Sequence, residues 1–315
     1  MQIRFASMAF WTAVSLVGAE IGSIDYSMQV GRSFAGQSMP KWDRGHVLSF
    51  DFPSAVVYSY DRTGREEFHT TISVPGASRV MIRDIAASPK GDFAIAGTAV
   101  SDEGAAVAIM VLLESSGSIS KVVRTSPVTL KCLRYADDGT LWAVAREFDA
   151  NFKELSSHDL LRQYDRNGTL LGHAVGRQSV STSKTEPAPD PLLTVSADRI
   201  GFYADRANVW TEVSSQGQVI GQWQFPTATK DYKIRVAEVA LTPHNDLLVD
   251  AIFSYTDGHK SRGLFSFARD TGAFTQLNTG TAETLAKSSI ALVGIDGDSL
   301  VLRHQSSFFW GALLR

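Results

Sequence analysis

A short pattern, in which a polar turn precedes an apolar strand, recurs along the chain and constrains its fold more than any other sequence feature. The clearest copies are SPKGDFAIAG from Ser88, ADDGTLWAVA from Ala136 and TPHNDLLVDA from Thr242. Three weaker copies begin at Lys41, Ser196 and Gly294. Successive copies start 47, 48, 60, 46 and 52 residues apart. A period of this length is typical of folds in which each repeat is one supersecondary unit.

A second marker divides the repeats into strands. In five of them an apolar strand runs into a polar segment that ends in glycine: DRTG from Asp61, ESSG from Glu114, DRNG from Asp165, SSQG from Ser214 and RDTG from Arg269. Glycine adopts the positive φ that closes a tight hairpin, so a further antiparallel strand should follow each segment. Six repeats of four antiparallel strands predict an all-β fold, a six-bladed β-propeller.

The two ends of the chain supply the sixth blade together. The last repeat begins near Ser289 and reaches Arg315 with one strand missing, while residues 24–30 (IDYSMQV) precede the first repeat without a hairpin partner. Pairing this N-terminal strand with the last repeat would close the ring and remove an open sheet edge. We therefore expect residues 20–315 to form a single propeller domain.

The repeated turn and strand, seen in SPKGDFAIAG, ADDGTLWAVA, YDRTG and YDRNG, resembles the six-bladed propellers of the NHL-repeat and TolB-like kind. The resemblance covers residues 24–315 and implies the architecture. Some six-bladed propellers are calcium-dependent lactonases or related hydrolases, whose metal is held by Glu, Asn and Asp at the channel mouth. The resemblance carries no motif that would transfer such a site to particular residues of this chain.

Residues 1–19 have the layout of a secretory signal peptide. Arg4 is followed by a mainly apolar run over residues 5–17, and Val17-Gly18-Ala19 resembles a cleavage site. Thirteen residues are fewer than the roughly 20 that a membrane-spanning helix needs. We expect export to the periplasm or the medium, with no stable membrane span after removal of the signal. A retained anchor or a buried N-terminal helix is the alternative.

Composition and missing motifs exclude several classes of function. The net charge is −3, and it becomes −4 without residues 1–19, which argues against a general nucleic-acid binder. The sequence contains no GxxxxGK[ST] loop, no HExxH or CxxC metal motif and no GxSxG nucleophile motif. Cys132 is the only cysteine, so an intramolecular disulfide is impossible; we expect a buried strand thiol.

Longer connections should lie on one face of the propeller, and this face is the predicted site because binding residues concentrate on loops held by a rigid scaffold. The expected loops are 101–104, 148–159, 255–262, 176–191, 226–233 and 280–288. The candidate ligand- or partner-binding residues at the channel mouth are Arg83, Asp84, Lys131, Arg146, Glu147, Asp205, Arg235 and Glu238. Trp42, beside a turn, is expected to be partly exposed.

Two functions are consistent with these residues. The first is a binding scaffold for a protein, a peptide or a small polar ligand, without a cofactor or catalytic motif. The second is a calcium-dependent, lactonase-like hydrolase, for which the carboxylates would come from Asp84, Glu147, Glu238 and Asp250. The basic candidates occupy positions similar to these carboxylates and disfavour a bound cation.

Overall fold

Six four-stranded antiparallel sheets are formed by the described part of the chain, which comprises residues 20–31, 34, 40–151, 153–180, 192–204, 208–226, 228–277 and 290–314 of a computed structural model. No helix within these ranges is long and apolar enough to cross a membrane. The innermost strands of successive sheets contact one another around a central channel, as expected for the blades of a propeller. The predicted fold class, a six-bladed β-propeller, is thus confirmed.

The first strand of the chain, β1 (Glu20–Gln29), belongs to the last blade, and the next twenty strands build five blades in chain order. Blade 1 contains β2 (Lys41–Asp43), β3 (His46–Asp51), β4 (Val56–Tyr60) and β5 (Glu66–Thr71). Blade 2 contains β6 (Arg79–Ala87), β7 (Phe93–Val100), β8 (Ala106–Leu113) and β9 (Ile119–Arg124). Blade 3 contains β10 (Val128–Tyr135), β11 (Leu141–Glu147), β12 (Asp159–Tyr164) and β13 (Leu170–Gly176).

The remaining blades follow the same order from the channel outward. Blade 4 contains β14 (Leu192–Val195), β15 (Arg199–Ala204), β16 (Val209–Ser214) and β17 (Val219–Gln224). Blade 5 contains β18 (Tyr232–Leu241), β19 (Leu247–Tyr255), β20 (Lys260–Ala268) and β21 (Ala273–Gln276). Blade 6 contains β22 (Ala291–Asp296), β23 (Ser299–His304) and β24 (Ser307–Leu314), with β1 as its outermost strand.

The N-terminal strand closes the ring as predicted. It pairs antiparallel with β24, with Tyr26 opposite Trp310 and Gln29 opposite Ser307. The strand is longer than expected, since it already begins at Glu20. Closure gives β22 to β24 a fourth strand, so the first and last described strands belong to one sheet.

Glycine turns separate the strands where the sequence predicts them, and they define the turn face, which carries the connections between the first and second and between the third and fourth strands of each blade. In the turn after β4, for example, Gly64 has φ +84° and donates its N–H to the Asp61 carbonyl. The opposite face, the loop face, carries the remaining connections.

Two of the predicted long connections are wrong. Residues 101–104 form a tight turn between β7 and β8, in which the Gly104 N–H donates to the Ser101 carbonyl. Residues 255–262 do not form a long connection, because β19 continues to Tyr255 and β20 starts at Lys260. The intervening segment is a tight turn, in which the Gly258 N–H donates to the Tyr255 carbonyl and the Tyr255 N–H donates to the His259 carbonyl. Asp257-Gly258 is a hairpin signal like those of the turn face, so the local chemistry favours strand extension over a loop.

Aromatic side chains fill the spaces between blades. Trp42 and Trp310 pack edge to face with their ring centroids 5.0 Å apart, and Tyr26 lies against the same Trp310 ring. Trp42 is only 4% exposed, so the expectation of partial exposure is wrong. The closed blade 6 covers it. Trp142 and Trp210 are buried as well.

Gly64→Ala should weaken the contact between blade 1 and the closing strand. A Cβ atom at this position would lie 2.7 Å from the Gln29 carbonyl oxygen of β1, in addition to the strain of its positive φ. Gly104→Ala is the matched control, because its φ is +83° and a Cβ atom there meets nothing within 4 Å.

Both substitutions should cost about 1–2 kcal/mol for the left-handed backbone. We expect Gly64→Ala to lower the free energy of unfolding by about 1–3 kcal/mol more, the usual cost of overpacking. Urea denaturation of the two variants measures the difference. Equal losses would show that the contact with β1 contributes nothing to stability.

Candidate functional site

Bulges in the innermost strands determine which side chains enter the channel. The pairing register shifts between Ile82 and Asp84 in β6 and between Leu130 and Cys132 in β10. Equivalent shifts occur in β18, just before Glu238, and in β22. A bulge inserts one extra residue and redirects the side chains that follow it. Asp84, Cys132 and Glu238 therefore occupy equivalent positions in three blades.

Asp84 is the centre of an ion network in the channel wall. One carboxylate oxygen, Oδ1, lies 2.7 Å from Lys41 Nζ of blade 1. The other, Oδ2, accepts the Leu133 N–H at 2.7 Å and lies 3.6 Å from Arg134 Nη1, both in blade 3. Lys41 is 8% exposed, so little water reaches its ammonium group. Asp84 thus connects the innermost strands of three consecutive blades.

Glu238 interacts with this network from the other side of the channel. Burial raises its pKa, and the positive charges of Arg134 and Lys41 oppose that rise. Blade 4 separates blades 3 and 5, so Arg134 and Glu238 act on each other across the channel. Burial, reinforced by Arg134, lowers the pKa of Lys41, while Asp84 and Asp43 oppose the shift.

Cys132 lies within the same charged surroundings. Burial, with a smaller contribution from Asp84, raises the pKa of its thiol to about 12. The thiol is therefore protonated at neutral pH and is a poor nucleophile.

The turn face of the channel is crossed by Arg44, which lies in the turn between β2 and β3. Its Nη2 donates to the Tyr135 carbonyl at 2.9 Å and to Asp137 Oδ1 at 2.7 Å, so blade 1 reaches past blade 2 to blade 3. Asp43 Oδ2 also accepts the Ala87 N–H of blade 2. These bonds join the blades at the turn face, and the candidate residues lie toward the loop face.

The acidic candidates have partners. Asp84 and Glu238 belong to the channel network described above. Glu147, at the end of β11, accepts a hydrogen bond from Arg162 Nη2 at 3.1 Å. Asp205 lies outside the described residues. Asp250, considered for a metal site, is fully buried. Its Oδ1 accepts a hydrogen bond from Arg262 Nε at 2.7 Å, and its Oδ2 accepts one from Arg262 Nη2 at 2.6 Å.

The basic candidates have a different distribution. Arg83 is the bulged residue of β6 and is exposed, whereas Lys131 is the bulged residue of β10 and is half-buried. Arg146, beside Glu147, is also half-buried. Arg235 is exposed and lies near the loop-face end of β18. The structure therefore brings Asp84 and Glu238 into one charged network, while Arg83 and Arg235 face solvent.

Sequence reasoning missed Lys41, Arg134 and the position of Cys132 in the channel. A signal was present, because Cys132 lies four residues before its turn, at Ala136, just as Asp84 and Glu238 lie four residues before theirs. Aligning the repeats on their turns would have grouped these three side chains. Lys41 is harder to find, since β2 contains only three residues and reads as part of a turn.

Comparison with known proteins supports the fold. No family model matches the chain. No curated protein matches it in sequence. Among solved structures, a Bacteroides fragilis protein named as a candidate exported protein superposes with a TM-score of 0.55 at 11% identity, covering 94% of each chain.

Two further structures have comparable similarity. The calcium-binding protein regucalcin from Agrobacterium tumefaciens has a TM-score of 0.51 at 13% identity, covering 91% of this chain and 95% of its own. A luciferin-regenerating enzyme has a TM-score of 0.50 at 11% identity, with the same coverage. Identities this low show a shared architecture, the propeller, and nothing about activity.

Glu238→Gln should alter the pH dependence of stability. Because the pKa of Glu238 is raised in the folded chain above its ordinary 4.5, the folded state binds this proton more tightly than the unfolded state does. Its contribution to stability is complete below pH 4.5 and is lost as the pH rises through the folded-state pKa. The free energy of unfolding of the variant should therefore fall less than that of the wild type from pH 4.5 toward neutrality.

Urea denaturation at several pH values measures this difference, with Glu103→Gln as a control because Glu103 is exposed in the turn before β8. Parallel curves for wild type and Glu238→Gln would contradict a buried, proton-binding Glu238.

Proposed function

We propose that the mature chain is an exported β-propeller that binds a protein, a peptide or a small polar ligand at its loop face, around the channel mouth. The observation that carries this proposal is the pairing of the described acidic candidates. Asp84 is held by Lys41 and the Leu133 N–H, and Glu147 by Arg162. Glu238 accepts the Val239 N–H at 3.1 Å within the field of Arg134 and Lys41.

These pairings leave the mouth with a basic character. Arg83 and Arg235 are exposed there, so the surface is suited to anionic or strongly polar groups. Each exposed guanidinium offers hydrogen-bond donors in a fixed plane, a geometry that suits carboxylate and phosphate groups. Recognition at the rim needs no cofactor.

The alternative, a calcium-dependent lactonase-like hydrolase, requires several oxygen ligands that converge on one point. Asp84 and Asp250 are instead bound by Lys41 and Arg262, whose positive charges oppose a divalent cation. Within the residues that the structure describes, no group of three or more His, Cys, Asp or Glu side chains is placed to share a metal ion. This donor set does not fit calcium, and we assign no catalytic step to it.

Export rests on residues 1–19 as a cleaved signal peptide. The proposed cut after Ala19 would leave the closing strand intact, because β1 begins at Glu20. All of the strands that the structure describes therefore lie within the proposed mature chain.

Thermal unfolding of residues 20–315 tests the binding role against the metal-dependent one. Calcium in millimolar excess should not raise the melting temperature. A ligand that binds at the mouth, identified in a panel of peptides, oligosaccharides and organic acids, should raise the melting temperature. At 100 times its Kd, the ligand should increase the free energy of unfolding by about 2.7 kcal/mol. Arg83→Gln combined with Arg235→Gln should reduce that shift.

Lys90→Gln combined with Arg166→Gln is the matched control, since these exposed residues lie in turns of the turn face. A calcium-induced rise that EDTA reverses would overturn the binding proposal in favour of the hydrolase. A ligand whose effect is equally strong in both double variants would place binding away from the mouth.

Mass spectrometry of the exported protein tests the signal. We expect the mature chain to begin at Glu20, and Ala19→Arg to retain the precursor, because a large charged residue at the cleavage site blocks processing. Glu20→Gln, just beyond the cut, should be processed normally. Exported protein that still carries Met1 would show that the segment is not cleaved.

A further inference from the structure

The described strands of blade 5 extend farther on the loop face than the described strands of the blades beside it. Asp250 Oδ2 accepts the Leu292 N–H, one residue from the upper end of β22 in blade 6. Two sets of paired residues in blade 5, those that include Ile252 and Ser254, lie closer to the loop face than Asp250 does. The first set is therefore level with the loop-face ends of the described strands of blade 6, and the second lies beyond them. On the side of blade 4, the Leu241 N–H donates to Thr194 Oγ1. From this contact toward the loop face, β18 contains nine more residues, whereas β14 contains two.

The surface of this extension that faces blade 6 is basic, and we call it the basic tip. One row contains Arg235, Ile252 and Arg262, which lie opposite one another in β18, β19 and β20. Side chains directly opposite each other share a face of the sheet. Ile252 shares that face with Asp250 two residues away, and Asp250 contacts blade 6.

The next row repeats the pattern. It lies two residues along the strands from the first row, toward the loop face, and contains the paired residues Lys233, Ser254 and Lys260. Lys233, Arg235 and Lys260 are exposed, and Arg262 is held in place by its two bonds to Asp250. Two successive rows thus carry a basic side chain at each end, on a chain whose net charge is negative.

The other surface of the extension is aromatic and stiffens it. Tyr232 packs against Phe253 and Tyr255 with ring centroids 5.4 and 5.5 Å away, and Tyr255 stacks on His259 at 3.9 Å. The carboxylate in the connecting turn, Asp257, accepts hydrogen bonds from the His259 N–H and pairs with its ring. The strands that carry the basic tip are therefore held firmly, and the carboxylate of Asp257 is already engaged.

The spacing of the three exposed charges, Lys233, Arg235 and Lys260, matches an extended acidic peptide. Strands lie about 4.8 Å apart, so the basic residues of one row are separated by about 10 Å, and the two rows are about 6.7 Å apart along the strands. Alternate side chains of an extended peptide are also about 6.7 Å apart on one face. We propose that the basic tip of blade 5 binds an extended acidic peptide segment with carboxylates at alternate positions.

This inference rests on the proposed binding role of the loop face and specifies its partner. The probe is a fluorescent peptide of five Ser-Glu repeats, with five Ser-Gln repeats as the uncharged control, and anisotropy measures the dissociation constant against residues 20–315. The Ser-Glu peptide should bind, more weakly as ionic strength rises, and the Ser-Gln peptide should not. Lys233→Gln combined with Lys260→Gln should weaken binding about tenfold.

Lys90→Gln combined with Arg166→Gln removes the same charge from the turn face and should leave the dissociation constant unchanged. Equal weakening by the two double variants would overturn the inference, because it would show a response to net charge alone. Tighter binding of an acidic polysaccharide such as polygalacturonate would also overturn it in favour of a glycan. If the peptide fails to bind while another ligand depends on Arg83 and Arg235, the inference falls and the binding role of the loop face stands.

Discussion

Pairing of β1 with β24 is the constraint on which the rest of the structure depends. Without this strand, blade 6 would present an open edge, and blades 1 and 6 would have only side-chain packing to hold them together. Closure positions Trp310 between Tyr26 and Trp42, so the largest rings of the molecule join the two ends of the chain. The innermost strands can then form a continuous channel wall, because no blade is free to rotate away from its neighbours.

The buried charges of this wall act on geometry more than on total stability. Removing two charges from water costs about as much as their attraction returns, so a buried ion pair is weak evidence of a large stability gain. Asp84, however, has three partners on two other blades, and each requires a particular position of its oxygens. The network therefore favours one arrangement of blades 1, 2 and 3 over others of similar apolar burial.

The sequence was sufficient for the blades but insufficient for the channel, and the reason is physical. Strand order follows from local turn chemistry: the turn at Gly64 closes a hairpin whatever surrounds it. The channel depends on bulges, which change the alternation of side chains without any residue type that announces them. Arg83 and Asp84 looked equivalent in the sequence, and only the register of β6 with β7 separates the exposed residue from the network.

Contacts between blades were also beyond the sequence. Trp42 seemed exposed because its own blade does not cover it, and the ring that does belongs to a strand more than 260 residues away.

The same register explains how an acidic chain can present a basic surface. The acidic side chains of the channel wall and its mouth are neutralised by partners, Asp84 by Lys41 and Glu147 by Arg162. Blade 5 differs, since its strands continue past the described strands of both neighbours. One face of the added rows carries Lys233, Arg235 and Lys260, which are all exposed. Closure of the ring does not require the basic tip. Its strands are stiffened by Tyr232, Phe253 and Tyr255 on the opposite face of the sheet. This surface can therefore bind a ligand without disturbing the contacts between blades.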